Sequence, residues 1–417
     1  MKTLTPSVIA NKAVLVRTDF NVPLKKKNNR LEVVEGKRIE ESLPLLEFLQ
    51  KNKAKIVLMS HLGRPKGEPD PELSLEPITR YFKQQHSLNI KFLGETVGQV
   101  AEQAVANLQP GEILLLENLR FYPGEKKNDT SFAKQLARLA DVYVNEAFSA
   151  SHREHASIHA VAKLLPAYAG FHLQHEIENL SRIMTKPKHP FVMVVGGAKL
   201  SSKIEAVYNL HKIADVVLVG GGVANNFLKA EGIETHMSKL EEDVKADDKE
   251  LSPMQMANQV LAENKTERIL QDGYIPLPKI LTPIDVVAAK NIESKKTKII
   301  NLTSGMADTP DDEAIMYLDI GPLTIKLFTH LILQAGTIFW SGPMGVFEQK
   351  PFENGTREIA RAIAKASAET LVGGGDTITA IHKYGLEGRF DYESSAGGAA
   401  LEFLAGKKLP GITVLEK

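Results

Sequence analysis

Short apolar runs recur along the chain, separated by segments of helical periodicity, and this alternation constrains the fold more than any other feature. Ala13–Val16, Ile56–Met59, Ile113–Leu116 and Val142–Val144 mark the first part; Phe191–Val195, Val216–Val219, Ile284–Val287, Thr337–Trp340 and Thr370–Val372 mark the rest. Runs this short, bounded by glycine or polar residues, suit strands buried on both faces of a parallel sheet. Between them, segments such as Ser131–Ala140 and Asn354–Ala366 carry apolar residues at helical spacing. The alternation predicts an α/β fold with helices on both faces of its sheets. In such folds chemistry gathers beyond the carboxyl ends of the strands.

What stands at those ends divides the chain in two. The early runs lead into Arg17-Thr-Asp-Phe-Asn21, Ser60-His-Leu-Gly-Arg64, Glu117-Asn-Leu-Arg120 and Asn145 through Arg153. The late runs lead into Gly196-Gly-Ala-Lys199, Gly220-Gly-Gly222, Ser341-Gly-Pro-Met-Gly345 and Gly373-Gly-Gly-Asp376. One part presents arginine and histidine, the other glycine, and the border falls near Gly170–Pro190. The 417 residues, at about 150 per domain, favour two or three domains.

Composition removes several classes of function. There is no cysteine, which excludes a disulfide framework, thiolate catalysis and Cys-ligated metal. Lys+Arg 51 against Asp+Glu 51 gives a net charge of +0, which argues against a general nucleic-acid binder. The N-terminus lacks the apolar core of a signal peptide, and no uncharged apolar stretch approaches the roughly 18 residues of a membrane span. These features predict a cytoplasmic protein with no membrane partner.

Arg17, Arg64, Arg120 and Arg153, joined by His61, would converge if the early strands share a sheet. Arginine pairs bidentately with phosphate and carboxylate, so the group suits a small, multiply charged anion. Asp19 and Asn21 would meet a hydroxyl on the same ligand. The glycine clusters suit nucleotide phosphates, because backbone without Cβ can approach the oxygens and present N–H groups at a helix start. Gly373-Gly-Gly-Asp-Thr377 leads into Ile378–Tyr384, a candidate for that helix, and Asp376 would hold Mg²⁺ against the phosphates. Gly220–Gly222 is not a dinucleotide fingerprint, since Asn225 stands where its last small residue belongs, and no Walker-type motif occurs. His152, His155 and His159 share a helical spacing, but no HExxH accompanies them, and helix-face histidines are the expectation over a zinc site.

These segments resemble the phosphoglycerate kinase family. Arg17-Thr-Asp-Phe-Asn-Val-Pro23, Ser60-His-Leu-Gly-Arg-Pro65, Leu116-Glu-Asn-Leu-Arg-Phe121, Gly196-Gly-Ala-Lys199, Trp340-Ser-Gly-Pro-Met-Gly-Val-Phe-Glu348 and Gly373-Gly-Gly-Asp-Thr377 follow in the family's order. The resemblance implies reversible phosphoryl transfer between ATP and 3-phosphoglycerate, giving ADP and 1,3-bisphosphoglycerate by domain closure. It implies two Rossmann-like domains with parallel sheets flanked by helices, joined by a hinge. Residues 1–172 would bind phosphoglycerate, residues 173–404 would bind nucleotide, and the tail 405–417 would pack back on the first domain. A monomer is implied as well.

Carried over by position, Asp19, Asn21, Arg38, His61, Arg64, Arg120 and Arg153 would hold the acid, with Phe20, Leu62 and Gly63 in the same segments. Lys199 and Lys203 would meet the transferring and nucleotide phosphates beside Gly197 and Ala198. Glu348 would bond the ribose, Pro343 and Val346 would line the pocket, and Gly374, Gly375, Asp376 and Thr377 would cradle phosphates, with Asp376 on Mg²⁺. Arg38 and Lys203 take these roles from the resemblance; alone, each reads as a surface cation. The acceptor is a carboxylate, ionised at neutral pH, so no general base is required.

The chain departs from the family pattern at Ser341, Ala396, Glu146, Ser149, Val223, Asn226 and Thr18. None of these removes a charge carrier. A non-catalytic sensor on the same fold would be expected to lack Arg38, Lys199 or Asp376. A nicotinamide-dependent dehydrogenase would need a GxGxxG motif after an early strand.

Overall fold

Most of the apolar runs become parallel strands in the computed structural model, which describes residues 1–241, 252–263, 268–270, 273–277, 279–303 and 314–416. Lys417, the last residue of the predicted tail, lies outside the described residues. The chain divides into one unit of Met1–Glu178 with Lys408–Lys417, and a second of Asn179–Lys407.

The first unit is built on β1 (Ala13–Arg17), β2 (Lys55–Met59), β3 (Lys91–Leu93), β4 (Ile113–Leu116), β5 (Val142–Asn145) and β6 (Ala167–Ala169). All pairs are parallel, in the order β3-β4-β2-β1-β5-β6. Val14, Val16, Ile56, Leu58, Ile113 and Leu115 form one buried face, covered by Leu45, Leu46, Leu49, Ile78 and Phe82 from helices. Leu15, Val57 and Leu114 point the other way and are buried too. Each such side chain contributes about 1.5–3 kcal/mol on burial. From β1 the chain steps outward through β2, then returns to place β5 on the opposite side. A switch point therefore opens at the carboxyl ends of β1 and β5, where Arg17 lies opposite Asn145.

The second unit repeats the plan with β7 (Phe191–Val195), β8 (Val216–Val219), β9 (Ile280–Leu281), β10 (Thr337–Ser341), β11 (Glu369–Gly373) and β12 (Tyr392–Ser394). These strands are also parallel, in the order β9-β8-β7-β10-β11-β12, with the switch between β7 and β10. Ile284–Val287, expected as a strand of a parallel sheet, departs from that reading. Its last three residues open the strand Asp285–Ala289, the centre of a three-stranded antiparallel sheet with Lys298–Asn301 and Met316–Ile320. Ile280–Leu281 already takes the edge of the parallel sheet, and Pro283, which lacks a donor, breaks the run from it. The edge strands β3, β6, β9 and β12 have two or three residues each, too few to show as runs. No helix among the described residues is long and apolar enough to cross a membrane.

Candidate active site

At the end of β1 the chain turns through Thr18, Asp19, Phe20 and Asn21, and its side chains split between scaffold and site. Arg17, read from sequence as part of an anion-binding cup, is 1% exposed and sits behind it. Its Nε donates to Ser157 Oγ at 2.8 Å, Nη1 donates to the Thr18 carbonyl, and Nη2 lies 3.1 Å from His61 Nδ1. Ser157 Oγ donates in turn to the buried Glu125 at 2.7 Å. Arg17 is thus a buried support whose charge is met from behind.

Asp19 collects the next layer. Its Oδ2 accepts from Arg38 Nη1 at 3.0 Å and from the Ser149 hydroxyl, and its Oδ1 accepts from Asn21 N at 3.1 Å. His61 Nδ1 stands 3.9 Å from the same carboxylate. Burial works against the Asp19 charge, but Arg38, the Ser149 hydroxyl and Arg17 hold its carboxyl below the usual range. Asn21 Oδ1 accepts from Gly63 N at 2.9 Å, and the Gly63 carbonyl accepts from Arg120 Nη1 at 2.6 Å. Arg120 is 5% exposed, and its Nε has no hydrogen-bond partner. Burial and the charges of Arg17 and Arg153 lower its pKa to about 10, against the opposing pull of Glu125 and Asp19.

Four guanidiniums, of Arg17, Arg38, Arg120 and Arg153, therefore act with two carboxylates, of Asp19 and Glu125. The surplus is positive, and a buried donor is left unsatisfied. Such a site is completed by a multiply charged anion. Arg153 is exposed and donates from Nε to His152 Nε2 at 3.0 Å. Arg64 is also exposed, next to Gly63, and no described contact ties it to the others. Phe20 and Leu62 belong to the frame. Phe20 is fully buried, edge-on to Phe82 at 5.7 Å, and Leu62 N and O pair with the Asn118 side chain at 3.3 and 2.8 Å.

The three loop histidines go to separate partners. His155 Nδ1 is 3.6 Å from Glu125, His159 Nδ1 is 3.0 Å from Asn128 Nδ2, and His152 meets Arg153. Gly411, from the C-terminal segment, braces this loop: its N donates to Ser151 O at 2.9 Å, and its carbonyl accepts from Asn145 Nδ2 at 3.1 Å.

In the second unit the loops after β7 and β10 interlock. Gly196 N donates to Ser341 O at 2.9 Å and Gly197 N to Pro343 O at 2.7 Å. Gly342 adopts φ +93°, and a Cβ there would fall 2.3 Å from Gly196 O. Thr377 Oγ1 accepts from Gly342 N at 2.7 Å and donates to Gly373 O at 2.8 Å, so it joins two loops. The helix Gly375–Lys383 starts there, with Gly374 as its cap and Asp376 in its first turn. Asp376 is exposed, and no described hydrogen bond uses its carboxylate. Lys203 is near enough to feel it: burial lowers the Lys203 pKa, while Asp376 and Glu241 oppose that fall. Its Nζ would lie 3.0 Å from a Cβ on Gly197. Ala198, Lys199 and Glu348 are exposed, Val346 is half-buried, and Pro343 is buried.

The departures mostly fall in the scaffold. Thr18 and Val223 are fully buried, and Asn226 links Gly222 O at 2.7 Å to Glu241 N at 3.1 Å. Sequence reasoning missed Glu125, Ser157 and Ser149. Ser149, noted only as a departure, turns out to donate into the Asp19 carboxylate.

Two parallel α/β units, one ending in an arginine cup and one in glycine loops around a lysine and a carboxylate, are the make-up of a phosphotransferase. The chain belongs to the phosphoglycerate kinase family, whose model matches residues 4–407. It is 43% identical over 415 residues to a phosphoglycerate kinase of Pseudothermotoga lettingae, covering 99% of this chain and 98% of that one. It is 44% identical over 414 residues to that of Moorella thermoacetica, with 99% and 98% covered. Among solved structures, phosphoglycerate kinase from Coxiella burnetii superposes with a TM-score of 0.80 at 36% identity, covering 98% of this chain and 97% of that one. The enzyme of Pyrococcus horikoshii gives 0.77 at 30% identity, with the same coverage. The protein is accordingly a phosphotransferase, moving a phosphoryl group reversibly between ATP and 3-phosphoglycerate in glycolysis.

Proposed function

We propose that the cup of the first unit holds 3-phosphoglycerate, that the glycine loops of the second hold Mg·ATP, and that the units close on their ligands during turnover. The observation that carries the first assignment is Arg120: a buried guanidinium with an unpartnered Nε, among cations in excess of carboxylates. Asp19, Asn21, His61, Arg64, Arg120 and Arg153 bind the acid, while Phe20, Leu62 and Gly63 hold the cup's shape.

Lys199 and Lys203 meet the nucleotide phosphates beside Gly197 and Ala198. Gly374, Gly375 and Thr377 shape the phosphate loop, Pro343 and Val346 line the base pocket, and Glu348 bonds the ribose. Asp376 suits Mg²⁺, because its carboxylate is exposed and uncommitted at a helix start. When bound, Mg²⁺ supplies charge neutralisation on the phosphates.

The reaction asks little covalent chemistry of the protein. The nucleophile is already an anion, so the barrier is met by alignment and by positive charge around the passing phosphoryl group. Arg38 and Lys199 provide that charge. Water must be excluded, or the phosphoryl group is lost to hydrolysis, which is the reason for closure. The chain acts as a cytoplasmic monomer on this reading, with no nucleic-acid or membrane partner.

A coupled assay with 3-phosphoglycerate, ATP and Mg²⁺ tests the assignment. Arg38→Ala and Lys199→Ala each lower kcat by about two orders of magnitude or more, with smaller changes in KM. A normal kcat in either variant removes that residue from the transfer.

A further inference from the structure

Arg38 stands on a single helical turn, Lys37–Glu40, which begins after Gly36. The turn closes through Ile39 N to Gly36 O at 2.8 Å, Glu40 N to Gly36 O at 3.0 Å and Glu41 N to Lys37 O at 3.0 Å. A turn this short does not hold itself, because fixing its dihedrals costs more than its first hydrogen bonds return. Ile39, fully buried, anchors its depth. Its rotation about that anchor needs another hold. Rotation matters, since it decides whether the guanidinium reaches Asp19 Oδ2 at 3.0 Å and Asn21 O at 3.4 Å.

Tyr81, on the helix Glu76–His86, supplies that hold. Its phenol lies on the backbone of Gly36, where a Cβ would stand 1.8 Å from the hydroxyl oxygen and 2.1 Å from Cζ. The same hydroxyl donates to Glu40 Oε1 at 2.6 Å. One ring thus touches the residue before the turn and the last residue within it, with Arg38 between them. His86 backs the contact, its Nε2 3.5 Å from the same Glu40 oxygen and its ring 5.9 Å from that of Tyr81. Burial and the Glu40 carboxylate push the Tyr81 hydroxyl up to about 12, so it stays a donor through the neutral range. A Tyr–Glu hydrogen bond at a surface is ordinary; a ring seated where its neighbour has no room for a side chain is a fitted contact.

We infer that Tyr81 is a positioning residue for Arg38, clamping the turn so that the guanidinium faces the reacting phosphoryl group. The inference rests on the role of Arg38 proposed above, and Tyr81 acts through that residue alone.

A double-mutant cycle tests it. Tyr81→Phe keeps the ring and drops the bond to Glu40. Its kcat falls by about three- to tenfold, with KM for ATP unchanged and the urea midpoint close to the parent's. Placed on Arg38→Ala, which is slow by itself, Tyr81→Phe costs nothing further. Gly36→Ala, which displaces the ring, lowers kcat in the same way. An equal fall in both backgrounds, or no fall in the parent, overturns the inference. A normal kcat for Arg38→Ala fails earlier, at the role of Arg38, and takes the inference with it.

Discussion

Arg17 Nη2 and His61 Nδ1 lie 3.1 Å apart, and the guanidinium has only hydrogens to offer. Nδ1 must therefore accept, and a neutral His61 carries its proton on Nε2. Burial first, then Arg17, holds the His61 pKa well below its ordinary value; Arg120 and Arg153 act in the same sense, and Asp19 opposes them. The ring is thus a neutral donor on its Nε2 edge. Nitrogen-15 spectra are expected to show the neutral Nε2–H tautomer still in place as pH falls through the ordinary value of about 6.5, and a midpoint near that value would falsify this. The unfolded chain takes up that proton near its ordinary value while the native protein does not. Stability from this group therefore falls as pH drops below about 6.5, and His172, lowered to about 4 mainly by burial, adds to the same loss.

Behind that pair, Glu125 accepts from Ser157 N at 3.0 Å and from its hydroxyl at 2.7 Å, and faces the charge of Arg17. Burial raises its pKa, but His155, Arg17 and Ser157 outweigh this and keep it ionised. Glu125→Gln removes the charge and leaves buried Arg17 without its opposite. The expected loss is about 3–5 kcal/mol in urea unfolding at neutral pH. A loss under about 1 kcal/mol means that Arg17 finds its compensation elsewhere.

The limits of legibility show in the same residues. Strands β1, β2, β4 and β5 could be read because both their faces are buried, so each is one apolar run. Asp19, Asn21, His61 and Arg120 could be read because strand ends are where a parallel sheet gathers polar groups. A motif does not say which of its members turn inward: Phe20 is fully buried against Phe82, and Leu62 is held by the Asn118 side chain. Arg17 looked like the others; its partner Ser157 is 140 positions away, a distance that no local pattern spans. Glu125, in Pro123-Gly-Glu-Lys126, has the composition of an exposed turn yet is fully buried.

Two small residues near the glycine loops are expected to lose stability for different reasons. Gly342 has φ +93° and no room for a Cβ beside Gly196 O. Gly342→Ala forces the loops after β7 and β10 apart, losing at least about 1–2 kcal/mol and weakening ATP binding. Ala396 is one of the departures from the family pattern, and strain there would require a positive φ. Its φ is not positive; Gly397 carries that conformation at +55°. Ala396→Gly therefore loses about 0.4–1 kcal/mol by freeing the unfolded chain. A gain in melting temperature from that change would mean that Ala396 is strained after all.

Glu146 follows β5 and caps the start of the helix Phe171–Thr185, both its oxygens 3.1 Å from His172 N. A Cβ on Gly170 would stand 1.9 Å from Oε2, so the carboxyl is closely enclosed. Burial pushes its pKa well above the ordinary value against the backbone bonds from His172 and Leu173, and Glu41 adds a like charge. The native protein then keeps a proton that the unfolded chain releases above about pH 4.5. Stability from this group is full below that point and is lost as pH rises through the native value. Glu146→Gln, which holds the neutral form permanently, is expected within about 1 kcal/mol of the parent near pH 5 and gains on it as pH rises from there to the native value, by at most about 1.4 kcal/mol per pH unit. Asp319, raised to about 8 by burial, titrates in the same direction but equally in both proteins, so it cancels in the difference. Paired urea titrations across that range decide the matter. If the gap stays constant, or the variant weakens as pH rises, then Glu146 is an ionised cap and the helix amides outweigh its burial.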